Sequence, residues 1–224
     1  TIDTTETIKT IAERNGVEIY DGYTGFKWIA NVMRENEGKK NYIGGGEESY
    51  GFLCEDFVRD KDAVSACVIL AEIAAWAKDQ GLSLYQLLQK IYVEYGFSKE
   101  KGISVVKKGK SGAEEIEAMM KKFRENPLTE IAGSKVTYFY DYSTLKGKDY
   151  AENETVTLDM PTTSNVLQYF TEDNTKVSIR PSGTEPKIKF YCEVHSKVKS
   201  IDELPEAEKA AEEKINQIKA SLGI

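Results

Sequence analysis

"SIRPSGTEPKIKFY", residues 178–191, joins two alternating apolar–polar runs through a loop holding two prolines and a glycine. Alternation at period two marks a half-buried strand, so the stretch reads as strand, tight loop and strand. Arg180 offers a planar fork that can grip two oxygens of one phosphate. Ser182 and Thr184 add hydroxyl donors, and Gly183 lets backbone N–H groups come close to an anion. Pro181 and Pro186 stiffen the loop, which lowers the entropy lost on binding. Lys187 and Lys189, two residues apart, share one face of the second strand. The whole stretch reads as an anion clamp held between fixed ends.

The rest of the chain does not supply that anion-binding power. Of 224 residues, 40% are apolar and 30% charged, as in an ordinary globular protein of one or two domains. The net charge of -7 argues against nucleic acid as a partner and means that an anion must be held by a local cluster. Cys54, Cys67 and Cys192 are far apart and odd in number, which fits neither a disulfide framework nor a zinc site and points to a reducing cytoplasm. With His195 alone, a histidine metal site or Ser-His triad is not expected. The most apolar segment, 63–77, carries Glu72 and is too short to span a bilayer, so no membrane partner is expected. The chain opens on Thr1, which suggests a fragment or a processed product.

The first half alternates short apolar runs with helical patterns. "TIDTTETIKTIAERNGVEIY" reads as an interrupted strand, a helix and a short strand "VEIY". Helices follow over "TGFKWIANVMRENEG", over "DKDAVSACVILAEIAAWAKDQG" with Asp60 or Asp62 as N-cap and Gly81 as its end, and after the cap Ser83. The second is apolar on nearly every side, so it is expected to pack on two faces of an α/β layer. The second half holds a strand over "GISVVKKG", 102–109, a helix capped by Ser111, strands within 135–194 and a closing helix over 205–222. "EDNT", 172–175, is the turn of a hairpin. The expected architecture is an α/β partial domain with a mixed sheet, residues 1–93, followed by an α+β domain with an antiparallel sheet, residues 94–224.

A second stretch carries different chemistry. In "GGGEESYGFL", 44–53, the glycines allow a close path beside a ligand. Glu47 can accept hydrogen bonds from two adjacent sugar hydroxyls, and Ser49 can donate or accept. Together, "RPSGTEPKIKFY" and "GGGEESYGFL" resemble the phosphate-binding and sugar-binding loops of the α-D-phosphohexomutases, the phosphoglucomutase and phosphomannomutase family. "YTGFKWI" and "DFVRDKDA" resemble two further segments of that family, in the same order. By wording the chain is nearest the glucose- and pentose-phosphate mutases.

The resemblance implies the latter part of the family's third domain and all of its fourth. It assigns Glu47 and Ser49 to the sugar hydroxyls, and Arg180, Ser182, Gly183, Thr184 and Lys189 to the phosphate that is not reacting. Thr24, Gly25, Lys27, Arg59 and Lys61 become supporting residues of the active site. It implies an isomerase that moves a phosphoryl group between C1 and the terminal hydroxyl of a sugar phosphate, through a phosphoserine, Mg2+ and a bisphosphorylated sugar intermediate. The family's phosphoserine string and Asp-rich metal loop are not in this sequence. This chain is therefore expected to hold no catalytic nucleophile and no metal, and to be inactive without N-terminal domains as partners. A non-catalytic sugar-phosphate binding or regulatory module is the alternative.

Overall fold

The computed structural model describes residues 1–107, 109–183 and 185–224, without the Lys110 side chain. The chain divides into two compact units, Thr1–Gly96 and Phe97–Ile224.

In the first unit, α1 (Glu6–Arg14) and α2 (Phe26–Asn36) precede a hairpin of β1 (Gly44–Gly46) and β2 (Phe52–Cys54), followed by α3 (Ala63–Asp79) and α4 (Leu84–Tyr95). The hairpin rests on α2: Leu53 packs with Phe26 and Met33, and Ile29 and Tyr42 close the cluster. Asp62 is the N-cap of α3, accepting from the Ser65 N–H at 2.7 Å. Ser83 and Gln86 form a reciprocal capping box on α4.

Three local expectations change, the first being the opening residues 1–5, which form turns and no strand. Val17–Tyr20 forms no strand, because the described residues offer it no partner. Helix α3 packs on β2 but is not covered on two sides: Val64 is 74% exposed and Trp76 55%, with Val68, Leu70 and Ile73 also outside. Only Ala77 is buried along its length, since a two-stranded hairpin is too narrow to cover a helix of 17 residues.

The second unit is built on an antiparallel sheet in the order β3-β10-β9-β8-β5-β6-β7, with β4 (Glu130–Ile131) paired to β5. Its strands are β3 (Phe97–Val106), β5 (Ser134–Asp141), β6 (Lys146–Asp149), β7 (Glu154–Thr157), β8 (Leu167–Thr171), β9 (Lys176–Pro181) and β10 (Lys187–Ser196). Phe190 and Ile179 face each other in the ladder, with Leu167 beyond, and all three are fully buried. Helices α5 (Gly109–Glu125) and α6 (Leu204–Leu222) pack on the sheet. α5 contributes Ile116, Met120 and Phe123, and α6 contributes Ala211, Ile215, Ile218 and Leu222, the spacing of single helical faces. The Phe123 and Phe190 rings meet edge to face at 6.2 Å. α5 opens at Gly109, whose φ of +76° a glycine adopts without strain, so Ser111 lies inside its first turn and is not its cap.

The 172–175 turn joins β8 to β9, with the Thr171 N–H donating to the Thr175 carbonyl at 3.0 Å. Asp173 ties this turn to α6 through Lys214 and accepts from the Thr171 and Thr175 hydroxyls. Burial works against its charge, but the Lys214, Thr171 and Thr175 hydrogen bonds outweigh it and hold the carboxyl below the usual carboxylate range.

Two tests follow from this packing. Phe190→Ala should destabilise the second unit by about 3–5 kcal/mol, whereas Val64→Ala should change stability by under about 0.5 kcal/mol, both read by urea denaturation. Because the folded carboxyl of Asp173 titrates below its unfolded value, its stabilisation is fully present above about pH 5 and is lost as the pH falls through the folded value. Asp173→Asn should therefore lower the melting temperature at pH 7, and the gap from the parent chain should close in acid.

Candidate sugar- and phosphate-binding sites

In the first unit, β1 and β2 are joined by a tight loop in which the Glu47 N–H donates to the Gly51 carbonyl at 2.8 Å. Tyr50, at φ +67°, forms the tip and points wholly into solvent, with Ser49 exposed beside it. The loop turns Glu47 inward. Its side chain is 4% exposed, with Oε1 accepting from the Gly25 N–H at 2.6 Å and Oε2 3.5 Å from Lys61 Nζ. Gly25 caps α2 at φ +119°, a backbone state that favours glycine, so the Glu47 carboxylate sits at the start of that helix, where negative charge is stabilised. Gly51 borders the same carboxylate from the β2 side of the hairpin. A Cβ there would lie 2.6 Å from Glu47 Oε2 and 3.0 Å from Lys61 Cδ.

The structure thus brings Glu47, Gly25 and Lys61 together. Thr24 lies beside them, its hydroxyl 3.0 Å from Asp3 Oδ2 and 3.2 Å from Glu48 Oε1. Glu48 also accepts from the Thr1 hydroxyl at 2.8 Å, so it anchors the chain's first residues to the loop. Lys27 and Arg59 have other neighbours: Lys27 Nζ lies 4.9 Å from the centre of the Trp28 ring, and Arg59 pairs with Glu37 at 3.3 Å.

In the second unit, Arg180, one residue before the end of β9, stands directly opposite Lys189 of β10. Both flank Tyr191. The Arg180 guanidinium donates to the Tyr191 hydroxyl at 2.9 Å and its carbon lies 5.7 Å from the ring centre, while Lys189 Nζ lies 5.8 Å from it. The loop is closed by the Ser182 N–H donating to the Lys187 carbonyl at 2.8 Å, and the Ser182 hydroxyl accepts from the Glu185 N–H at 3.3 Å. Gly183 is exposed, with open space where a side chain would stand. Glu185 pairs with Lys187, which leaves Lys187 engaged within the loop. Thr184 lies outside the described residues.

Tyr191 is the residue that reading the sequence did not single out. Within "KIKFYC" it passes for one more apolar strand position, but its spacing from Lys187 and Lys189, at i+4 and i+2, places it on their face. Behind it, Ser178 and Gln168 are buried yet polar, and both are satisfied: Tyr142 donates to Gln168 Oε1 at 2.6 Å, and Gln168 Nε2 lies 2.8 Å from Ser178 Oγ.

The family model described as "Phosphoglucomutase/phosphomannomutase, alpha/beta/alpha domain III" matches residues 1–95, and the one described as "Phosphoglucomutase/phosphomannomutase, C-terminal domain" matches residues 104–211. The chain belongs to the phosphoglucomutase/phosphomannomutase family. It is 36% identical over 187 residues to a phosphoglucomutase of Staphylococcus haemolyticus, covering 84% of this chain and 34% of that protein. It is 40% identical over 190 residues to a phosphoglucomutase of Staphylococcus aureus, covering 85% of this chain and 34% of that protein. The chain therefore spans about a third of the length of these relatives and corresponds to their C-terminal part. Among solved structures, parafusin from Paramecium, in its open form, matches 99% of this chain and 38% of its own with a TM-score of 0.57. At 19% identity that likeness speaks for the fold alone.

The Glu47 geometry gives a direct test. Gly51→Ala should separate Glu47 from Lys61 and cost about 1–3 kcal/mol, visible as a lower melting temperature of the first unit. An unchanged melting temperature would show that the loop yields freely and that the close approach constrains nothing.

Proposed function

We propose that this chain is the sugar- and phosphate-gripping part of a phosphoglucomutase-type isomerase, in which a phosphoryl group passes between C1 and the terminal hydroxyl of a sugar phosphate. The observation that carries this reading is the pairing of Arg180 with Lys189. Like charges directly opposite each other in a ladder destabilise it, and a dianion bound between them turns that cost into an attraction. Arg180, Ser182, Gly183, Thr184 and Lys189 would hold the phosphate that is not reacting. Glu47 and Ser49 would hold the ring hydroxyls, with Thr24, Gly25, Lys27, Arg59 and Lys61 in support.

The division of labour follows from the chemistry. A sugar bisphosphate must present either phosphate to the reacting group, so the remote phosphate and the ring have to be gripped in two orientations. Binding energy from the remote phosphate then orients the reacting oxygen. The transferring group would come from a phosphoserine in the remaining two thirds of such an enzyme. Among the described residues no group of three or more His, Cys, Asp or Glu is placed to hold a metal ion. Mg2+ held by that other part would neutralise charge on the transferring phosphoryl group. The partners are thus a glucose-type sugar phosphate and the N-terminal domains, and by itself the chain would bind but not turn over. No helix among the described residues is long and apolar enough to cross a membrane. The thiol of buried Cys192 is pushed up to about 12 by burial, and all three cysteines are free, which suits a reducing cytoplasm.

The test is a titration of the chain with glucose 1-phosphate, glucose 6-phosphate, glucose and inorganic phosphate, followed through backbone amide signals. Both sugar phosphates should shift Gly183 and Glu47, and phosphate alone should shift only residues 180–189. Arg180→Ala should weaken the sugar phosphates by about 2–3 kcal/mol, and Tyr191→Phe, which keeps the ring but loses the hydroxyl, by about 1 kcal/mol. Sugar-phosphate binding that survives Arg180→Ala undiminished would remove the clamp from the site.

A further inference from the structure

The strands that carry the clamp carry a second charged group at their other end. Lys176 and Glu193 face each other in the β9–β10 ladder, on the same face of the sheet as Arg180 and Lys189. Four residues separate the two rows, about 13 Å along a strand. The Lys176 ammonium lies 3.2 Å from Glu193 Oε2, and the two side chains are 3% and 4% exposed. The same carboxylate is held from β10 and β3: His195 Nε2 lies 2.7 Å from Oε1, and Ser98 Oγ lies 3.2 Å from it. Glu100 of β3, which Ser98 also bonds at 2.6 Å, stands opposite Glu193 with a charge of the same sign. β9 enters this group through Lys176.

The clamp row needs such a tie. Alternation of side chains excludes a shift of one residue between β9 and β10, but a shift of two returns every side chain to its own face. Shifted one way, Arg180 stands opposite Tyr191, Ser178 opposite Glu193 and Lys176 opposite His195. That ladder keeps Ile179 and Phe190 on the core face, and it relieves the repulsion between Arg180 and Lys189 because they no longer face each other. Shifted the other way, Arg180 meets Lys187, Lys176 meets Tyr191, and Glu193 runs past the start of β9. The loop between Pro181 and Lys187 is longer than the two-residue turns that set a hairpin's register by themselves. Both shifts have one consequence in common. They part Lys176 from Glu193, and two separated charges in a dry interior are far less stable than a pair.

We propose that Lys176 and Glu193 are positioning residues for the anion clamp. Among the registers that keep the core faces, the buried pair selects the one in which Arg180 and Lys189 stand side by side. Its contribution is to register and not to overall stability, since well-packed apolar residues of similar size serve a buried site as well or better. The two like charges that a dianion would bridge are thus held together by two opposite charges at the far end of the same strands. The register follows from the ladder itself; only its consequence for phosphate rests on the proposed function.

The test removes both charges at once, by Lys176→Met with Glu193→Leu in the full chain, and reads the register by NMR. The Ser182 N–H bonds the Lys187 carbonyl, and in an antiparallel ladder the closest approaches lie between the bonded pairs. In the parent chain, close Hα contacts should therefore join Ile179 to Phe190 and Val177 to Cys192. The double variant should melt no lower than the parent, yet show a second set of amide signals over 176–193 and a new Hα contact between Ile179 and Cys192. Its affinity for inorganic phosphate and glucose 6-phosphate should fall about fivefold, as it does when about one molecule in five keeps the native register. A double variant with a single register, Ile179 still against Phe190, would overturn the proposal whatever its affinity. If that variant does not fold, Lys176→Gln with Glu193→Gln, which removes both charges and keeps a hydrogen-bonding pair, is read in the same way. Failure of the parent chain to bind phosphate would instead sink the sugar-phosphate reading and leave the register result intact.

Discussion

The register of β9 against β10 is the constraint on which the second unit depends. Side chains alternate faces at every residue, so seating Phe190 and Ile179 in the core commits their neighbours Lys189 and Arg180 to the opposite face, side by side. A slip of one residue would drive two cations against α5 and α6 and expose the largest apolar groups of the sheet. The energy that enforces the core is therefore the energy that holds two like charges together. Tyr191 belongs to the same arrangement. Its ring centre lies 5.7 Å from the guanidinium carbon and 5.8 Å from Lys189 Nζ, and its hydroxyl accepts from the guanidinium, so the three side chains stand as one group.

The first unit solves a different problem with less material. Its carboxylate Glu47 is held by a backbone N–H at a helix start and by Lys61, and Gly51 leaves room for both side chains to approach closely. Such a carboxylate is oriented at no rotamer cost to a ligand, and it retains lone pairs for further donors. The exposed neighbours Ser49 and Tyr50 are the adaptable part of the same loop.

Much of this was legible in the sequence, for reasons that are local. Period two across 176–192 carries the hairpin, and Ser83 was visible as a cap ahead of an apolar helical run, while for α3 the sequence left Asp60 and Asp62 open and the structure selects Asp62. What was not legible depended on partners distant in sequence. "VEIY" has the composition of a strand, but a strand exists only when another backbone pairs with it. Helix α3 has the composition of a buried helix, but burial needs a sheet wide enough to cover it. Tyr191 looked apolar because nothing local shows that Arg180, eleven residues earlier, returns to meet its hydroxyl. The resemblance read from "GGGEESYGFL" and "RPSGTEPKIKFY" reached further than any of these local patterns, and the match to both family domains bears out the fold class.

These unmet expectations in the first unit share one physical cause. An unpaired β-rich segment, a half-open hairpin edge and an uncovered apolar helix each lack the neighbour that their composition calls for. Each would be costly in a self-sufficient domain, since open backbone beside an apolar floor neither pairs nor hydrates well. The second unit shows no such deficit around its central strands: β8, β9 and β10 each have neighbours on both edges and helices over the core face. The asymmetry implies a division in stability, with Arg180, Lys189 and Tyr191 mounted on the self-sufficient unit. The 46–51 loop that holds Glu47 is mounted on the unit that covers less of its own apolar surface.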